Sequence, residues 1–552
     1  MTETGFQSGP GRPRSQPGAW SEALLLTFLL IPWLNPFADG PSTWVAPWLV
    51  SFMCGAAAYG IERPALPARP VTGALVALTA WPLLRSGWAP ETVALGAGCL
   101  LIWMSASLMS DHARPDGNGR LAASAWLLAA LISTAAALCQ YFGIADGLAP
   151  WVNTSTVGGE AFANLRQRNQ FATLTVMGMA ALLFWWPAGL KRWHAVIAIA
   201  WLAVGNAVTT SRTGLLEMVL LGALVGIWPG PRWQRARLWL MGLLSYAVAA
   251  LALPWVLEAT TGVSATHLWS RVADSDACGS RMVLWSNVLH LISLKPWLGW
   301  GWGELDFAHY ATLYAGPRFC DILDNAHDLP LHLAVELGLP AAVLICGGLG
   351  WATVRAKPWR ECDPIRQMAW AVLGVLGVHS LLEYPLWYGP FQITLGLCLG
   401  LLCPVGSRPA GQPAEPPAHW FAATLAAAVF GLAVYAGWDY RRVSQVYLPP
   451  ANRSPEWRDD PLSRVRDSWL FANQVRFAEL TITPLTQENA AWAFETASAL
   501  LHYSPEPRVI ETLIESAVLL GRSDDALLQL ARFRAAFPEA YATWRQARAL
   551  SP

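Results

Sequence analysis

The sequence predicts an all-α polytopic membrane protein of about 12–13 transmembrane helices, with one long loop and a C-terminal helical, tetratricopeptide-like domain on the same side of the membrane. Three observations carry this. The 552 residues are 54% hydrophobic and only 13% charged, where a soluble globular chain has about 25% charged residues. Apolar runs near the ~20 residues needed to cross a hydrocarbon core recur along most of the chain. Thirty-two tryptophans are present, and indole concentrates where membrane meets water. The net charge is zero, so nothing favours a nucleic-acid partner, and membrane lipid is the expected surrounding.

Residues 1–19 form a polar tail containing Arg12 and Arg14, expected in the cytoplasm. No small-residue cleavage site stands before Pro41, so the first apolar run reads as a retained span. Spans are expected at roughly 20–37, 42–60, 70–85, 90–109, 120–142, 168–188, 193–209, 213–228, 237–257, 329–353, 367–383, 388–405 and 419–437. With the N-terminus inside, the inner loops hold Arg63, Arg69, Arg114, Arg120, Lys191, Arg192, Arg232, Arg235, Arg237, Arg355, Lys357, Arg360 and Arg366. The opposite loops are poor in Lys and Arg, which is the positive-inside bias. The alternation puts three segments outside together: the loop before residue 168, the long segment 258–328, and residues 438–552. The turn at 209–214 joins them. The expected organisation is a tail over 1–19, a transmembrane domain over 20–437 that includes the long loop, and a helical domain over 438–552. In a bacterium with two membranes, the membrane is the inner one and the outside is the periplasm.

Of nine cysteines, only Cys278 and Cys320 fall in the long outer segment. An oxidising compartment permits a disulfide between them; two free thiols are the alternative. In the tail, Pro505 and Pro538 stand 33 residues apart, close to the tetratricopeptide period of about 34. Between them run helical segments Val509–Leu520 and Asp524–Ala535, with Gly521 as a C-cap. So few repeats do not make a stable solenoid, so this domain is expected to pack on the membrane domain.

Five polar constellations interrupt the apolar background. Asn164, Arg166, Gln167, Arg168, Asn169 and Gln170 lead straight into a span. A helix N-cap accounts for one asparagine; the remaining amides and guanidinium groups suit an anion or a sugar. Arg212 sits in the outward turn Ser211-Arg212-Thr213-Gly214, where positive charge is disfavoured; it reads as a salt bridge to Glu217 or as a phosphate clamp. Arg281 opens an amphipathic outer helix. It is followed by Pro296-Trp297-Leu298-Gly299-Trp300-Gly301-Trp302-Gly303, whose glycines could let backbone approach a ligand and whose indoles could be sugar platforms or membrane anchors. Asn325, His327 and Asp328 sit where the chain re-enters the bilayer, with Asp321, Asp324 and His332 nearby. A metal site fits that spacing poorly, because His327 and Asp328 diverge and His332 lies five residues on. A structural histidine bonded to a carboxylate and a catalytic one both remain. Finally, Pro385 breaks a helix just after Glu383 and Tyr384. Broken helices in membranes line cavities, and an intramembrane glutamate is a functional candidate.

These motifs, in this order, resemble the O-antigen ligase superfamily, and more closely its protein O-oligosaccharyltransferase branch (the PglL/PilO type that glycosylates pilins). The matching stretches are Asn164–Asn169, Ser211–Gly214, Arg281–Trp285 with Pro296–Gly303, Asn325–Pro340 and His379–Tyr388. Arg168 departs from the branch, which has proline there. The resemblance implies a glycosyltransferase domain over 20–437 that moves a preassembled glycan from undecaprenyl diphosphate to a hydroxyl of a pilin-like or other periplasmic protein. It implies no metal and no cofactor. Residue chemistry agrees. A lipid diphosphate already leaves well and needs positive charge, which Arg212 and Arg281 supply. The acceptor hydroxyl needs a base, and His327 is the natural one. A single inverting displacement follows, with Asn164, Gln167, Asn169, Asn325, Glu383 and Tyr384 positioning sugar or acceptor. Alternatives are an O-antigen ligase acting on lipid A–core, an O-antigen polymerase, and a transporter of the lipid-linked glycan. The absence of detectable inverted repeats speaks against the last.

Overall fold

Long apolar stretches with few breakers leave the backbone no hydrogen-bond partners but its own, so they become helices. The computed structural model describes residues 19–37, 40–62, 64, 66–110, 115–155, 158–185, 191–264, 278–403 and 419–550. Among these are 21 α-helices and no strand. Most of the expected 1–19 tail, with Arg63, Arg114 and residues 265–277 of the long loop, lies outside the described residues.

The first nine helices are α1 Ala19–Leu34, α2 Val45–Glu62, α3 Arg69–Ser86, α4 Pro90–Met109, α5 Pro115–Tyr141, α6 Arg168–Trp185, α7 Arg192–Val208, α8 Arg212–Ile227 and α9 Arg232–Thr261. The long loop carries α10 Arg281–Leu294 and α11 Leu305–Ala311. Then come α12 Leu329–Leu337, α13 Leu339–Ala356, α14 Pro364–Ser380, α15 Gly389–Leu402 and α16 His419–Tyr447. Of these, α2, α4, α5, α9, α13 and α16 are long and apolar enough to cross a membrane, and α1, α7 and α15 are shorter apolar helices. The chain is an all-α polytopic membrane protein.

Helix α6 is the hub. Its residues from Phe171 to Phe184 are almost wholly buried, and α5, α7, α8 and α14 pack around it. A helix enclosed on all sides reads as apolar all round, so any polar residue on α6 is forced inward. At the start of α6, Gln167 Oε1 accepts the Gln170 N–H at 2.7 Å and satisfies one of the free donors of the first turn.

One expected span is broken. The segment 329–353 is two helices, α12 and α13, meeting at Gly338. Gly338 has φ 90°, a conformation natural only to glycine, and Pro340 follows in the first turn of α13. The Gly-Trp run enforces the break. Trp300 N–H donates to Val335 O at 2.8 Å, Gly301 N–H to Glu336 O at 3.0 Å, and Leu339 N–H to Pro296 O at 2.8 Å. A Cβ on Gly299 would lie 2.3 Å from Glu336 O, and one on Gly338 2.3 Å from Trp297 O. Gly299 and Gly338 therefore admit backbone against backbone, whereas Gly303 faces the Glu91 side chain. Of the indoles, Trp302 stacks on Trp387 at 6.0 Å, Trp300 Nε1 donates to Leu291 O at 3.0 Å, and Trp297 is exposed.

The tail forms α17 Ala472–Ile482, α18 Ala490–Leu500, α19 Pro507–Leu519, α20 Ser523–Ala536 and α21 Pro538–Leu550, more helices than the repeat period suggested. Gly521 (φ 70°) lies between α19 and α20. Their core includes Phe494, Leu500, Ile510, Leu513 and Phe533, and it takes in Phe307 and Tyr310 of α11. Tyr310 Oη donates to Gln529 Oε1 at 2.8 Å, and His502 Nδ1 meets Glu304 Oε2 at 2.6 Å. Helix α16 continues past residue 437 to Tyr447.

Cys278 and Cys320 are bonded, with Cα atoms 5.4 Å apart across a sequence separation of 42. Closing a loop of that length stabilises by about 4 kcal/mol on the chain-entropy account. Replacing Cys278 by Ala is expected to lower the unfolding midpoint and to leave Cys320 reactive toward a membrane-impermeant maleimide. Equal labelling of wild type and variant would contradict the bond.

Candidate active site

The site is built where α6, α8 and α14 end beside the long loop. Helix α8 begins with Ser211 as N-cap, its Oγ accepting from Gly214 N–H at 3.1 Å. Its hydroxyl donates to Asn169 Oδ1 at 2.7 Å. Asn169, in the first turn of α6, donates through Nδ2 to Glu383 Oε1 at 3.0 Å. Helix α14 stops at Ser380, and a 3-10 turn Pro385–Trp387 follows. Glu383 and Tyr384 stand in the connection.

The loop brings the other half. Ser280 caps α10, and Arg281 in its first turn pairs through Nη2 with Glu383 Oε1. The chain returning from α11 is tied to α10 three times. Asn287 Nδ2 donates to Pro317 O at 2.9 Å while Phe319 N–H donates to Asn287 Oδ1 at 2.8 Å. Trp285 Nε1 donates to Ala326 O at 3.1 Å. The disulfide closes the same loop just before Arg281. His327 follows with φ 51°, a left-handed conformation that costs a residue with a Cβ about 1–2 kcal/mol. Asn325 Oδ1 accepts the His327 N–H at 2.9 Å and holds that turn, and Asp328 then caps α12 by accepting Leu331 N–H at 2.9 Å.

So placed, His327 Nδ1 lies 2.7 Å from Glu383 Oε2. An ionised carboxylate only accepts, so Nδ1 carries the proton, and in the neutral ring Nε2 is then the acceptor. Burial alone would raise the Glu383 carboxyl. The His327 imidazole and the Arg281 guanidinium outweigh it and hold Glu383 below the usual carboxylate range. The Tyr384 ring stands edge-on to His327 at 5.0 Å. Burial, with Tyr388 beside it, pushes the Tyr384 phenol above its ordinary range, so it remains an O–H donor. Arg281 Nη1 is shielded and has no partner among the described residues.

Not every candidate read from the sequence meets here. Arg212 is exposed, one residue beyond Ser211. It does not pair with Glu217, which lies buried against Thr173. Gln167 caps its own helix. Asn164 holds the preceding loop together, donating to Leu34 O at 2.8 Å and Trp151 O at 2.9 Å and accepting Asn153 N–H at 3.0 Å. Sequence reasoning passed over Ser211 and Thr173 as functional. Their only signal is a hydroxyl next to, or one helical turn from, a residue already singled out.

Three family descriptions match the chain. Residues 367–551 match the C-terminal part of the virulence factor membrane-bound polymerase family, 197–346 the O-antigen ligase family, and 161–186 the protein glycosylation ligase family. Among curated relatives is a general O-oligosaccharyltransferase of Acinetobacter baylyi, 24% identical over 404 residues, or 69% of each chain. A ComP-specific O-oligosaccharyltransferase of the same organism is 23% identical over 256 residues, 45% of each chain. The fold and these matches define a membrane-bound, glycosyl-transferring class. The chain is thus similar, stretch by stretch, to the O-antigen ligase and protein glycosylation ligase families and, over about two thirds of its length, to an O-oligosaccharyltransferase.

The ion pair sets a pH dependence. Because Glu383 is depressed in the folded state, its contribution is complete above the ordinary carboxylate pKa of about 4.3 and is lost as pH falls through the lower folded value. Glu383→Gln is expected to lose about 1 kcal/mol near neutral pH. The gap in melting temperature between wild type and variant should close as pH drops below about 4. A gap independent of pH from neutral to acid would contradict the assignment.

Proposed function

We propose that this protein transfers a preassembled glycan en bloc from undecaprenyl diphosphate to Ser or Thr hydroxyls of periplasmic proteins such as pilins. It acts as a metal-independent, inverting oligosaccharyltransferase of the bacterial inner membrane, its site facing the periplasm. In this reading residues 20–437 are the transferase domain and 438–552 the periplasmic helical domain. The observation that carries it is Glu383 joined to Arg281 on one oxygen and to His327 on the other.

His327 Nε2 takes the proton of the acceptor hydroxyl, and Glu383 stabilises the imidazolium that forms. The acceptor oxygen attacks the anomeric carbon as the bond to the diphosphate oxygen breaks. The departing lipid diphosphate keeps the electron pair, and Arg281 and the exposed Arg212 stabilise its charge, the largest class of catalytic effect. Arg281 reaches the phosphate by exchanging Glu383 for it, which leaves the full carboxylate charge to the imidazolium. Asn169 keeps Glu383 aligned, Tyr384 donates to sugar or acceptor, and Asn325 sets the turn that presents His327. Gln167 and Asn164 act by holding the start of α6 and the loop before it.

A general base contributes about 10²–10⁴-fold, so His327→Ala is expected to lose transfer by that factor while still inserting and binding the lipid-linked donor. Arg281→Ala should lose about 10²–10³-fold, as for removal of a charge-stabilising donor. Near-normal transfer by His327→Ala would refute the base assignment. Intact-mass analysis of pilin-like proteins, with and without this protein, should show one glycan increment. An increment on lipid A–core instead would identify a lipopolysaccharide ligase.

A further inference from the structure

Beneath the site lies a second polar group that the transfer chemistry leaves unused. Thr173 Oγ1 donates to Glu217 Oε1 at 2.7 Å and lies 2.8 Å from His379 Nδ1. Thr173 and Glu217 are 0% exposed and His379 1%. They come from α6, α8 and α14, which also supply or lead into Asn169, Ser211 and Glu383. Asn169 and Thr173 are one helical turn apart on α6, and His379 and Glu383 are separated by the same number of residues. Two rungs therefore cross the same three elements in the same order: Ser211–Asn169–Glu383 above, Glu217–Thr173–His379 below. They are joined on one side directly, since Glu383 N–H donates to His379 O at 2.8 Å.

We infer that Thr173, Glu217 and His379 are positioning residues for the transfer reaction, the lower rung setting the axial register of α6 against α14 and so the place of Glu383 under His327. This rests on the reading that Glu383 orients His327 as the base.

Stability alone does not account for the rung. Ionisable side chains within a membrane domain are expensive and are kept for function. Apolar residues of similar volume would fill the space without that expense. Here Glu217 Oε2 and His379 Nε2 have no partner among the described residues, so the network does not fully offset its own burial. Directionality is what it adds. Apolar helix faces tolerate small slides, whereas a 2.7 Å hydrogen bond between buried side chains does not. Two neighbours remove the remaining slack. The His379 ring stands edge-on to Phe391 at 5.7 Å. At Gly214 a Cβ would approach Ala172 Cβ to 2.7 Å, so α8 is pressed against α6 there. A misplacement of about 1 Å at a reacting group can cost about 10²-fold in rate, which is the scale on which this rung acts.

The test uses the full chain in detergent, lipid-linked glycan as donor and a pilin-like acceptor, with kcat, both KM values and melting temperature measured together. Thr173→Val keeps the volume and removes the hydroxyl. It is expected to lower kcat about 10–100-fold with KM for each substrate within about two-fold. Thr173→Ser, which restores the hydroxyl, should return kcat to within about three-fold of wild type. Should Thr173→Val fold poorly, the double variant Thr173→Val with Glu217→Leu removes the orphaned carboxylate and leaves His379 Nδ1 as the group that loses its partner. It is expected to be more stable than Thr173→Val alone and still slow. Wild-type kcat in either valine variant, or a serine variant as slow as the valine one, would overturn the inference. His327→Ala in the same assay separates the two failures. If it is inactive while the valine variants run normally, only the lower rung is wrong. If it is active, the reading of the site falls, and this inference falls with it.

Discussion

A carboxylate held almost out of water at the edge of a membrane has to be surrounded by donors, and Glu383 gathers them from every direction. Arg281 comes from the first turn of a loop helix, His327 from the far end of the same loop, and Asn169 from the start of the buried hub helix. None of these elements is adjacent to another in the chain. The charge on Glu383 is thus what draws the loop onto the helix bundle, and it fixes Nδ1 as the ring nitrogen of His327 that donates to it.

The loop can deliver two such groups with precision because it is braced at short intervals. The disulfide, the Asn287 bonds and the Trp285 bond to Ala326 O fix its returning strand to α10. Gly299 and Gly338 let the Gly-Trp segment lie against the break between α12 and α13 at backbone contact. The C-terminal helices add a further brace by enclosing Phe307 and Tyr310 of α11 in their own core. A site carried on loops gains the rigidity of a scaffold when each loop segment is tied to a helix in this way.

Several features were readable without coordinates because they depend only on local chemistry. Glu383 and Tyr384 were singled out by Pro385, which ends a helix whatever surrounds it. Gly521 was recognised as a helix end for the same kind of reason. Asn164 and Gln167 show the limit. An amide at a helix entry caps or binds equally well on paper, and only the neighbouring carbonyl and N–H groups, set by packing, decided that both hold local structure. The Gly-Trp run was likewise legible as a close-approach motif, but whether it approaches a ligand or another strand of backbone is a question of what lies opposite. The single span expected at 329–353 failed because Gly338 and Pro340 are tolerated within an apolar run, and the backbone that splits the helices there comes from residues 296–301.

What the sequence determined by itself was the class of architecture, since hydrophobic length and loop charge act residue by residue and need no partner. It also determined which polar residues stand out against an apolar background. Tertiary structure alone decided which of them meet: Glu383 with Arg281, His327 and Asn169, and Glu217 with Thr173 rather than Arg212. The reason is that a hydrogen bond or ion pair is short-ranged and directional, so its partner is fixed by how helices far apart in the chain come to rest, which no local pattern encodes.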